Sequence, residues 1–77
     1  MAVTRAGEVV RIAQGLVILK TDERSRIDIG VSLVDDSLNR VGRVVDVFGP
    51  VERPYVAMTA ADEHPSELLG ERLYARR

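Results

Sequence analysis

The sequence predicts an all-β fold: a small, mostly antiparallel six-stranded barrel with a short helical turn near the C-terminus. Three observations carry this. Short segments rich in valine and isoleucine recur along the chain, as suits a pleated, half-buried backbone. Turn formers separate them at Gln14-Gly15, Asp35-Asp36-Ser37, Gly49-Pro50 and Gly70. With 77 residues in all, little length remains for helix, so the strands are expected to close on themselves.

Residues 8–13 alternate loosely, Gln14-Gly15 interrupts, and 16–20 resume as an apolar run, which predicts two strands joined by a tight turn. Residues 21–28 carry several charges and no apolar side chain until Ile27, so they read as a solvated loop. The β-branched residues return at 29–34, and 35–40 supply turn formers before the strand at 41–48; these two strands are expected to form a hairpin. Within 41–48, Gly42 marks a bulge or a close backbone approach. Residues 60–66 are loop-like, and Asp62 or Ser66 is placed to cap a helical turn through 67–69 that Gly70 ends. A last strand is expected at 72–75.

The connection between the strand at 41–48 and the next one is the most informative stretch. Phe48-Gly49-Pro50 ends the ladder, because glycine permits positive φ while proline fixes its own φ and lacks a donor. Pro54 restricts the backbone again and pushes Arg53 toward extended geometry. A loop stiffened at two points loses little entropy on binding. If 55–59 is a strand, Val56 and Met58 share the core face, and Tyr55, Ala57 and Thr59 point outward. Tyr55 then joins Pro50, Val51 and Pro54 in an apolar, partly aromatic patch of the kind that marks protein contacts. The same residues would equally serve to close one end of a barrel and plug its core. Phe48 is expected in the core or as a lid on the barrel mouth, and Tyr74 is expected to pack against the first strand.

Composition bounds the function. A chain of this length fits one domain spanning 1–77 that buries roughly 60–65% of its unfolded surface. Without cysteine there are no disulfides or thiolate metal sites. The N-terminal residues lack a signal-peptide core and no apolar run approaches the roughly 20 residues of a membrane span, so a soluble cytoplasmic protein is expected. Eleven basic and twelve acidic residues give a net charge of −1, which disfavours unaided nucleic-acid binding. All basic residues except Lys20 are arginine, the better interface residue, or simply the product of base composition.

No catalytic residue, metal site or cofactor is expected. His64, the one histidine, lies in a polar loop without an orienting group. Asp35-Asp36 before Ser37 is ordinary turn chemistry, short of the oxygen ligands a hard cation needs. Neither GxxxxGK, nor GxGxxG, nor a Cys or His cluster occurs. Of the three aromatic residues, Phe48, Tyr55 and Tyr74, only Tyr55 stands out as a contact.

Several motifs together resemble the core domain of the glycine-arginine-rich protein family of H/ACA small ribonucleoproteins in its archaeal form, without the glycine-arginine-rich tails. They are Gly7-Glu8-Val9, Val41-Gly42-Arg43-Val44, Asp46-Val47-Phe48-Gly49-Pro50-Val51, Pro54-Tyr55, Leu69-Gly70 and Leu73-Tyr74. Phe-Gly-Pro-Val followed by Pro-Tyr is the specific part; Val-Gly-Arg-Val alone is common in small barrels. The resemblance implies a non-catalytic subunit of an RNA-guided pseudouridine synthase that binds the synthase catalytic subunit and assists substrate loading and product release in rRNA modification. It implies contact with guide RNA only through the complex, and neither a membrane nor a small-molecule ligand. Partner-binding residues would be Phe48, Gly49, Pro50, Val51, Pro54 and Tyr55, with Gly42 and Arg43 as neighbours. The alternatives are an autonomous RNA-binding barrel, an adaptor barrel of the reaction-centre type, and the assembly factor that shares the barrel core; the short chain favours the mature-particle subunit over the last.

Overall fold

The computed structural model describes residues 3–21, 27–61 and 65–76. Six antiparallel strands close into a barrel: β1 (Val3–Ala13), β2 (Leu16–Thr21), β3 (Ser32–Val34), β4 (Arg40–Phe48), β5 (Tyr55–Ala60) and β6 (Arg72–Arg76). Their order around the ring is β1-β2-β5-β4-β3-β6, and β6 pairs back onto β1. A single 3-10 turn, Pro65–Leu68, precedes β6, and the chain then passes Gly70. Gly70 donates to the Val9 carbonyl and Val9 to the Glu71 carbonyl, both at 2.9 Å, so this turn is tied to β1. The Asp62 cap and the exposed His64 fall outside the described residues, as does most of the loop expected at 21–28.

The interior is aliphatic. Leu19, Leu33, Met58, Leu73, Val9, Val17, Val44 and Val56 are fully buried, and Ala6, Ala75 and Ile27 complete the cluster. Each large side chain so placed contributes about 1.5–3 kcal/mol. The period-two pattern holds along β2 (Val17, Leu19, Thr21 inward) and β6 (Leu73, Ala75 inward). Val56 and Met58 face the core as expected. Ala57, on the outward face in register with Ile18 and Asp46, is nevertheless buried, because a methyl group between longer cross-strand neighbours lies below the surface.

The first hairpin turns on Gln14 (φ 52°) and Gly15 (φ 80°), two positive-φ residues between Ala13 and its partner Leu16. This is the two-residue connection that matches strand twist. The β3–β4 hairpin turns at 35–39, where the Asp35 Oδ1 accepts from the amides of Ser37 and Asn39, each at 2.9 Å. The strand expected at 29–34 is shorter than its composition indicates. Ile29 and Gly30 form an exposed turn, with Val31 donating to the Asp28 carbonyl; the strand proper spans 32–34, and Gly30 and Val31 reach β4 through bonds of 2.8 and 2.9 Å with the Val44 carbonyl and amide. β1 in turn starts earlier than residue 8, since 3–8 pair with β6.

Strand β4 carries two irregularities that decide what faces outward. Against β3, Leu33 pairs with Gly42 and Val34 with Arg40, leaving Val41 as the extra residue. Against β5, Val44 pairs with Met58 and Asp46 with Ala57, leaving Val45 extra. Such a bulge shifts the side-chain alternation by one. Val44 points inward, but two and four residues later Asp46 and Phe48 are exposed.

Candidate functional site

The corner between β4 and β5 gathers an aromatic pair on a stiff loop. Phe48 and Tyr55 are direct register partners, and their rings stack with centroids 5.7 Å apart and planes inclined by 21°. Offset stacking of this kind adds about 0.5–1.5 kcal/mol beyond area burial. Phe48 is 43% exposed, which corrects its expected place in the core or over the barrel mouth; the Val45 bulge rotated it to the outside. Tyr55 is half-buried beneath it.

Gly49 explains how the loop leaves this pair. Its φ is +92°, and a Cβ there would lie 2.9 Å from Tyr55 Cδ2, inside van der Waals contact. Glycine is therefore required both by the backbone conformation and by the ring packed over it. Pro50 and Val51 project beyond, with Val51 97% exposed, and Glu52 and Arg53 complete the loop. The chain returns at Pro54, whose carbonyl is fixed from below: Thr21 Oγ1 donates to it at 2.7 Å and the Thr21 amide at 3.2 Å.

Thr21 is the site residue that sequence reasoning missed. It opens a polar stretch and so reads as loop, yet it ends β2 and is 1% exposed. The inward alternation Val17, Leu19, Thr21 is the signal that identifies it. Lys20, its outward neighbour, is in register with Tyr55, so one basic group flanks the aromatic pair across β5.

Of the residues singled out from sequence, the structure brings together Phe48, Gly49, Pro54 and Tyr55, with Pro50 and Val51 on the same loop. Arg43 is exposed on β4, five residues from Phe48, or about 16 Å along the strand. Its carbonyl accepts from Thr59 Oγ1 at 3.4 Å. Gly42 is buried; a Cβ would run into the Thr59 carbonyl and come within 2.6–2.7 Å of the Met58 side chain, the close approach expected of it. Tyr74 lies on β6 opposite Arg5 of β1, as expected.

The arrangement offers surface rather than reactive groups. Among the described residues no three His, Asp, Glu or Cys side chains gather to hold a metal ion, and no helix is long and apolar enough to cross a membrane.

Comparison with solved structures finds the same barrel in the Gar1 domain of Naf1, with a TM-score of 0.74 and 18% identity, covering 96% of this chain and 81% of that one. At that identity the likeness speaks for the fold alone. A comparison with curated proteins finds no match. Family models are more specific: the model described as the Gar1/Naf1 RNA binding region matches residues 3–76. The matched span runs from the first residue of β1 to the last of β6 and includes the whole stacked corner, and the chain therefore belongs to the Gar1/Naf1 family.

Proposed function

We propose that this protein is a non-catalytic subunit of an archaeal H/ACA RNA-guided pseudouridine synthase, docking on the catalytic domain of the synthase through the 48–55 corner. The observation that carries the reading is the corner itself: an exposed valine and two prolines beside a stacked Phe48–Tyr55 pair, on a loop pinned by Gly49 and Thr21. A prefixed apolar and aromatic patch of this sort suits a protein surface, because it loses little conformational freedom on association. Chemistry stays on the partner, and the subunit acts by favouring one state of a loop beside the partner's active site, which requires different affinities for the two states. Substrate loading and product release would change, and guide RNA would be met through the complex. Arg43 extends the contact along β4, while Gly42 serves it through the close packing that it permits.

A second reading, direct RNA contact, draws on the family description and on Lys20 in register with Tyr55, since bases stack on exposed rings beside basic groups. The net charge of −1 weighs against it.

Calorimetric titration of the chain into an archaeal H/ACA synthase without RNA, beside titration with guide RNA alone, separates the two. Binding to the synthase only, weakened at least about tenfold by Tyr55→Ala as expected of an aromatic anchor, supports docking. Binding to RNA and not to the synthase would replace it with the second reading.

A further inference from the structure

At the opposite end of β4 from the corner, a shallow cleft of about 170 Å³ opens between the start of β1, the 35–39 turn and β6, lined by Val3, Leu38, Tyr74, Asp35 and Asp36. We propose that this cleft receives one arginine side chain presented by a partner protein, its methylenes against Val3 and Leu38, its guanidinium over the Tyr74 ring and paired with Asp36.

Four features lead there. The cleft is smaller than the roughly 300–1,000 Å³ of small-molecule sites, so its size suits a single long side chain. Its walls are apolar and its rim is acidic, a combination that matches a cation on an aliphatic stem and opposes phosphate. Half-buried Tyr74 is the aromatic member of the lining, and a guanidinium stacks on aromatic rings better than an ammonium does. Asp36 has no hydrogen bond or ion pair among the described residues, whereas Asp35 spends its Oδ1 on the turn and so holds the rim in shape.

Leu38 is the independent sign. It stands 58% exposed at φ +67°, a left-handed conformation that glycine or asparagine takes with less strain. A turn built only to reverse the chain has no use for a strained, exposed leucine, and strain held beside a cleft points to a contact. The corner lies about 25 Å away along β4, so both ends can be occupied together.

The test is titration of the ¹⁵N-labelled 77-residue chain with a capped Ser-Ala-Arg-Ala-Ser peptide and its citrulline counterpart, followed by amide shifts. Saturable shifts confined to the surroundings of Val3, Leu38 and Tyr74 are expected. Citrulline in the peptide, or Asp36→Asn in the protein, should weaken them about fivefold, the loss of one exposed charge pair and its cation–π partner. Leu38→Gly should weaken them without lowering the melting temperature, because it removes strain as well as the wall. Tyr55→Ala should leave the titration unchanged, which keeps the outcome separate from the docking reading. Equal response to citrulline, shifts centred on Tyr55, or a uridine oligonucleotide moving the same resonances would overturn the proposal.

Discussion

The carbonyl oxygen of Pro54 accepts two hydrogen bonds from Thr21, one from its hydroxyl at 2.7 Å and one from its amide at 3.2 Å. The end of β2 thereby sets the position of the residue just before Tyr55. Thr21→Val keeps the volume and removes one of two bonds to a partly buried acceptor that retains the amide bond, so it should lower unfolding free energy by about 0.5–1.5 kcal/mol in urea denaturation. Thr21→Ser loses one methyl, about 0.8 kcal/mol, and should leave the Tyr55 ring resonances in place while the valine variant shifts them. Equal ring shifts in both variants would break the link between Thr21 and the corner.

Gly49→Ala places a methyl group against Tyr55 Cδ2 at a φ that alanine avoids. A stability loss of about 1–2 kcal/mol is expected from the backbone conformation. The ring must also move, so synthase binding should fall by more than the corresponding Phe48→Ala, which removes only the upper ring of the stack. Calorimetry on both variants gives the ranking.

Gly42→Ala should destabilise severely, by about 2–3 kcal/mol as overpacking does, because one of the colliding groups is the Thr59 carbonyl, which cannot swing aside as the Met58 side chain can. Gly15→Asn is the control: it sits at φ 80° with open space around it, and asparagine tolerates that conformation. Thermal melts of the pair should differ widely.

The Val45 bulge makes a sharper prediction than any substitution. Deleting Val45 removes only the extra residue, so Asp46, Val47 and Phe48 keep their partners Ala57, Val56 and Tyr55, with Val47 inward and Phe48 outward. The deletion variant should therefore still unfold cooperatively with Phe48 exposed, because the barrel interior, filled by aliphatic side chains, is not asked to admit a phenyl ring. Val45→Ala, which keeps the bulge, should fold. A deletion variant that fails to fold, or in which Phe48 becomes shielded from solvent, would refute Val45 as the unpaired residue of the bulge.

That bulge also marks the limit of what the sequence made legible. The barrel, its turns at Gln14-Gly15 and 35–39, and the inward pair Val56 and Met58 follow from composition and period-two spacing, because burial on one face imposes that spacing directly. The face of Phe48 does not follow, because an unpaired residue in a run of valines leaves no compositional mark. Thr21 was hidden for a related reason: a buried threonine whose hydroxyl serves a loop carbonyl looks, in sequence, like the first residue of a polar loop. The reach of β1 back to Val3 depends on pairing with a strand some seventy residues later, which local pattern does not encode.

For function, removal of the subunit from an assembled synthase should slow multiple turnover and leave single-turnover chemistry nearly unchanged; equal slowing of both would exclude a role in loading and release. Affinity for the synthase should respond weakly to salt, whereas RNA binding would show a log–log slope of about −0.7 for each phosphate neutralised.

Because the strands form a closed ring, every strand has a neighbour on both sides among the described residues, and the backbone left with a strand partner on one side only is confined to short stretches such as β4 beyond Val44. A free copy of the chain therefore offers another copy far less template than an open sheet of the same strands would. Its exposed loops and outer side chains can diverge without disturbing the hydrogen-bonded cylinder beneath.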